Sequence, residues 1–154
     1  NLQGGLTYKL PGNFYIAALY KRENVKKTGF NLGEDRYTME GGWKTALNKS
    51  WELDLRLRAE IRHFDRGLAD NHMRYRLRLR LRTKLMVGSY EIRPFIASEP
   101  FADSLQDRIF RHRLYIGSSF PLNKNAEIVI NYIRQDTRKG TTLHILNTGV
   151  DLKF

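Results

Sequence analysis

Residues 72 to 84 read HMRYRLRLRLRTK, so that Arg74, Arg76, Arg78, Arg80, Arg82 and Lys84 alternate with Met73, Tyr75, Leu77, Leu79, Leu81 and Thr83. At a helical period of 3.6 these cations would be spread around the whole cylinder. At a period of 2 one face is charged throughout and the other is apolar. The stretch is therefore a β-strand with one face that needs water and one that avoids it.

Working outward, the same alternation recurs in nine segments, at roughly 2 to 10, 13 to 24, 34 to 46, 51 to 63, 72 to 85, 90 to 99, 108 to 120, 125 to 135 and 142 to 154. Turn residues separate them, and the connections alternate in length. Short ones fall at Pro11-Gly12, 47 to 50, 86 to 89 and 121 to 124; longer ones at 25 to 33, 64 to 71, 100 to 107 and 136 to 141. Short turns at one end and longer loops at the other are the mark of an up-and-down transmembrane barrel. The expected fold is an all-β, antiparallel up-and-down transmembrane β-barrel with nine visible strands in a parent barrel of about ten, and residues 1–154 form a single domain.

The apolar phase supports this. Next to the short turns it carries Tyr8, Phe14, Trp43, Trp51, Tyr90, Phe120 and Phe154; next to the longer loops it carries Tyr20, Tyr37, Tyr75, Phe110 and Tyr132. Between them lie aliphatic residues such as Ile16, Leu55, Leu57, Leu79, Ile96, Ile116 and Ile130. Two aromatic girdles around an aliphatic belt are the pattern of a membrane-spanning surface. A soluble ligand-binding barrel with an apolar interior has the same alternation, but no cause to sort aromatics to both rims.

Composition agrees. The 154 residues suffice for one small barrel, and no apolar run approaches the roughly 18 to 20 residues of a spanning helix. Mean hydropathy is -0.55, as befits strands in which only alternate residues are apolar. Cysteine is absent, and the net charge of +11 points to anionic neighbours: outer-membrane lipid, lipopolysaccharide or small anions. The strand count places Asn1 at the outer side if the closing strand 142 to 154 ends in the periplasm. An even-stranded barrel then requires at least one further strand, and a signal peptide, before it.

The order RYRLRLRLR, Ser98-Glu99-Pro100-Phe101, RHRLYIG at 111 to 117, Asn131 to Gln135 and a terminal GVDLKF resembles an uncharacterised family of short outer-membrane barrel proteins of Gram-negative bacteria. The resemblance implies fold and bacterial outer-membrane location; the family has no established activity or cofactor, so no catalytic residue is carried over.

The polar phase, facing the lumen, holds more cations than carboxylates. Hairpins paired symmetrically about their turns put Arg76 between Glu60 and Glu99, and Arg82 opposite Asp54, as structural ion pairs. The same register leaves Arg56, Arg58, Arg78, Arg80, Arg111 and Arg113 without an adjacent carboxylate. Guanidinium forks so gathered bind phosphate, sulfate or carboxylate. Two functions follow: a narrow, porin-like, anion-preferring pore or anion-binding barrel, or a barrel plugged by its own ion pairs that anchors or assists an envelope protein partner. Enzymatic, cofactor, metal and nucleic-acid roles find no motif: His63, His112 and His144 fall in the lipid-facing phase near the outer rim and only His72 points inward, and arginines and aromatics occupy opposite faces of each strand.

Overall fold

The computed structural model describes residues 2–27, 30–65, 71–105, 108–138 and 140–152. Its elements are β1 Leu2–Lys9, a 3-10 turn Pro11–Asn13, β2 Phe14–Lys27, β3 Phe30–Ala46, β4 Trp51–Phe64, β5 His72–Thr83, β6 Leu85–Val87, β7 Tyr90–Asp103, β8 Arg108–Asn123, β9 Ala126–Thr137 and β10 Thr142–Leu152. All strands join one antiparallel sheet in chain order, with the short β6 off the main path and paired to β7. The nine long strands are the nine alternating segments. The piece β6 continues the arginine-rich segment beyond a break at Lys84.

Strand ends are the main departure. The loop expected at 25 to 33 is largely strand, because β2 runs to Lys27 and β3 begins at Phe30, where the two are in direct register. Likewise β7 continues to Asp103 and β8 starts at Arg108. Alternation carries on through residues whose polarity alone had suggested a loop. Of the loop expected at 64 to 71, residues 66–70 lie outside the described residues.

The opposite turns are held by local chemistry. Asn48 Oδ1 accepts the backbone N–H groups of Ser50 and Trp51, both at 2.9 Å. Gly88, at φ 63°, sits in the two-residue hairpin that sets Val87 opposite Tyr90. Such hairpins need a left-handed residue that only glycine or asparagine adopts cheaply.

Solvent exposure inverts the usual rule. Leu57 and Leu79 are 58% and 47% exposed, while Glu34, Glu60 and Glu99 are 0%, 1% and 2% exposed. The charged phase is the buried one, and the apolar phase is presented outward.

By its contacts the chain divides into two compact units: Asn1–Trp43, Arg56–Leu77 and Phe101–Phe110 in the first, and Lys44–Leu55, Arg78–Pro100 and Arg111–Phe154 in the second. In the first, outward aromatics pair directly across β2 and β3: Phe14 with Trp43 at 6.2 Å and Tyr20 with Tyr37 at 5.3 Å between ring centroids. On the buried face Tyr15 stands opposite Gly42 and lays its ring where a Cβ would be, 2.1 Å from the nearest ring atom. That position lets the Tyr15 hydroxyl donate to Glu40 at 2.9 Å. In the second unit β8, β9 and β10 pair in register, interrupted by one irregularity between Pro121 and Asn123.

The Gly42→Ala substitution is expected to push the Tyr15 ring aside and break its bond to Glu40, at a cost of about 1–2 kcal/mol. Tyr15→Phe should cost a similar amount, and the double substitution hardly more than either alone. Denaturant midpoints of the three variants check this; additive losses would show that Gly42 does not act through Tyr15.

Candidate functional site

Alternation places every even residue of β5 on the buried face, so Arg74, Arg76, Arg78, Arg80 and Arg82 form a row. A guanidinium shut off from water must find carboxylates or aromatic faces. Neighbouring strands supply both.

In the first unit Glu34 receives two guanidinium groups. Arg62 Nε and Nη2 donate to it at 2.6 and 2.5 Å, and Arg36 Nε and Nη2 at 3.0 and 2.7 Å. Arg36 also reaches Glu23 at 2.6 Å. Glu40 accepts from Tyr15 and from Arg58 Nε at 2.7 Å, with Arg56 Nη1 at 3.7 Å. Glu60 takes Arg76 at 2.7 Å, and Arg58 lies 3.9 Å away. Asp103 faces His72 Nε2 at 3.3 Å and Arg74 at 3.7 Å. Aromatic faces complete the packing: Arg76 lies 4.9 Å from the Phe101 centroid, Arg74 5.4 Å from Phe110 and Arg62 5.2 Å from Phe64.

In the second unit Asp54 is shared by three cations, with Arg80 at 2.7 Å and both Arg78 and Lys44 at 3.9 Å. Glu52 binds Arg82 at 2.5 Å and Lys84 at 3.4 Å, and Glu127 binds Arg93 at 3.2 Å. Glu99 accepts from the Tyr115 hydroxyl at 2.5 Å, Arg113 Nε donates to the Gln135 side-chain carbonyl at 2.7 Å, and Arg80 sits 5.8 Å from the Phe95 ring.

The expected ion pairs therefore need correction. Arg76 pairs with Glu60, and Glu99 accepts from the Tyr115 hydroxyl; the departure is at Asp54, which is bound by Arg80 rather than Arg82, and Arg82 goes to Glu52. The backbone N–H of Lys84 bonds the Ser50 carbonyl at 2.9 Å, a register that slides Arg80 opposite Asp54 and Arg82 opposite Glu52. The uncompensated cluster is corrected with it. Of its six members, Arg56, Arg58, Arg78 and Arg80 lie within 4 Å of Glu40 or Asp54, and Arg113 meets an amide oxygen. Arg111 is partly buried next to Phe110 in the chain.

Sequence reasoning missed Asp103 because its strand was drawn too short, and missed Glu34 although it opens the segment 34 to 46 in the polar phase of Arg36 and Glu40. It also missed the inward phenylalanines Phe95 and Phe101, which share the phase of Glu99. Of the aromatic girdle, Tyr8, Phe14, Trp51, Tyr90, Tyr37, Tyr75 and Tyr132 are exposed, and Trp43, Phe120 and Tyr20 partly so. Phe110 departs from it. It is 9% exposed, edge-on to Phe101 at 6.4 Å, because alternation slips by one residue between exposed Ile109 and exposed Leu114. Phe154 lies outside the described residues.

Comparison with known proteins agrees with this architecture. Residues 1–144 match the model of a family described as a protein of unknown function, DUF2490. No curated protein matches the chain. Among solved structures, the crystal structure of the β domain of the Bordetella autotransporter Brka is similar, with a TM-score of 0.66 and 16% identity over 99% of this chain and 71% of that one. At this identity the likeness concerns the fold, which is that of a β-barrel domain. The chain thus belongs to the DUF2490 family and is an all-β, antiparallel protein with the fold of an autotransporter β-barrel domain.

Proposed function

We propose that this chain spans the bacterial outer membrane as a β-barrel whose interior is locked by its own ion pairs, and that it serves as a non-conducting anchor or accessory subunit for an envelope protein partner. The carrying observation is that interior carboxylates are shared among the arginines expected to be free. Glu34 binds two guanidinium groups through both of its oxygens and Glu40 binds Arg58 with Arg56 alongside. A barrel of about ten strands is near the size at which side chains fill the interior.

Strand length supports the placement. The twelve residues of β5 extend about 40 Å at roughly 3.3 Å per residue and, tilted by about 45°, cross a hydrocarbon core of about 30 Å. The outward leucines then face lipid tails, and the exposed tyrosines and tryptophan meet the lipid and lipopolysaccharide headgroup zones.

A second reading rests on Asp54. Three cations gather within 4 Å of this one carboxylate, and guanidinium and ammonium groups so gathered suit a small anion such as phosphate or sulfate and an anion-preferring passage.

Planar-bilayer recordings separate the two. The locked barrel predicts a wild-type protein that inserts but stays nearly silent, with an anion-selective leak appearing in Asp54→Asn, where Arg78, Arg80 and Lys44 lose their shared counter-charge. A sustained anion-selective wild-type current, weakened in the Arg78→Ala/Arg80→Ala double substitution, selects the second reading. A cation-selective current would reject both.

A further inference from the structure

Among the polar pairs on the outward face, which also include Tyr132 with His144, one joins a serine to a histidine and is not explained by the interior network. Ser98 on β7 follows exposed Ile96 by two residues, and His112 on β8 precedes exposed Leu114 by two, so both share the face of those apolar residues. Ser98 Oγ lies 2.8 Å from His112 Nε2. The two are distant in sequence and meet only across the β7–β8 hairpin, which is why no motif betrays them. On the adjoining strand Asp136 is the direct cross-strand partner of His112, and its Oδ1 accepts from Thr142 Oγ at 2.8 Å.

The pair has an apolar neighbour. A groove of about 590 Å³ is lined by residues of β4, β5 and β7 to β10, among them Leu81, Ile96, Ile116, Ile130, Tyr132 and Leu146. Ile96 is one same-face step from Ser98, and Ile116 is two such steps from His112, so the groove approaches the pair along both strands. Polar side chains on an apolar face are costly unless bonded, and these two are bonded to each other; in the tautomer that carries its proton on Nδ1, His112 accepts from the Ser98 hydroxyl, the arrangement that activates a serine, with a carboxylate nearby to favour the imidazolium.

We propose that Ser98 and His112 are a nucleophile and general base acting on the acyl ester of a membrane lipid whose chain lies in the groove. Ser98 Oγ adds to the ester carbonyl as His112 Nε2 takes its proton. The tetrahedral adduct collapses, the carbon–oxygen bond to the alcohol breaks, and the leaving oxygen receives that proton from His112, leaving Ser98 acylated. A water molecule, its proton passing to His112, then adds to the acyl carbonyl. Collapse returns the proton to Ser98 and releases the fatty acid, so that ester and water become alcohol and acid. Asp136 is a positioning residue that stabilises the imidazolium across the strand. Ser98 and His112 lie on the face opposite the ion-pair network, so this inference stands or falls independently of the interior's role.

The test uses the whole chain in detergent micelles, with a fluorophosphonate probe and mass-spectrometric location of the label, followed by fatty-acid release from phosphatidylethanolamine in mixed micelles. Labelling is expected on Ser98 in the folded protein and not after heat unfolding, with acid release that disappears in Ser98→Ala. His112→Gln keeps a hydrogen-bonding side chain but removes the base, and should slow labelling by about 100-fold. Because His112→Gln leaves Ser98 in place, it decides the matter even if Ser98→Ala fails to fold, folding being read from the heat-dependent gel mobility of barrels. Absence of label on Ser98, a labelling rate unchanged in His112→Gln, or no acid release from phosphatidylethanolamine would overturn the proposal.

Discussion

A carboxylate shut off from water must be matched by cations, and nearly everything in this fold is arranged around that requirement. Glu34, Glu40, Asp54 and Glu60 stand on the buried face of β3 and β4, and the arginines of β4 and β5 are set by alternation to meet them. Removing one partner of such a buried pair typically costs about 3–5 kcal/mol because the other charge is left uncompensated. Register between these strands is thus under strong selection by energy alone. A slip by one residue would carry the acids to the apolar face and the leucines inward.

Arginine, rather than lysine, suits the interior for two reasons visible in the contacts. Its planar fork engages a carboxylate through two nitrogens, as Arg62 does with Glu34 and Arg82 with Glu52. Its flat face also lies against phenylalanine rings, as Arg76 does on Phe101. Phe95 and Phe101 therefore belong to the same polar phase as Glu99 without contradiction, since each offers a π-face to a guanidinium from β5. Tyrosines serve the remaining acceptors: Tyr15 on Glu40 and Tyr115 on Glu99.

Much of this was legible from alternation. The nine long strands, the antiparallel chain-order sheet and the sorting of aromatics toward strand ends all follow from a period of 2 combined with turn residues, because those signals are local. The pairing of individual charges was less legible, because it depends on cross-strand register. An offset of two residues moves Asp54 from Arg82 to Arg80 and gives both Arg80 and Arg78 a carboxylate within 4 Å. Strand ends were also obscured: Asp103 looks like a loop residue by polarity, yet it continues the buried phase of β7. The slip near Phe110 had no sequence signal at all, and Ser98 with His112 are brought together by the hairpin rather than by spacing.

The central claim is that the charged phase is enclosed and the apolar phase faces lipid. Leu77→Cys, Leu79→Cys and Leu81→Cys, taken singly in native membranes, measure it most directly. All three thiols should resist a water-soluble maleimide and react with a lipid-phase reagent. Rapid modification of the three by the water-soluble maleimide would contradict the account and, with it, the locked interior.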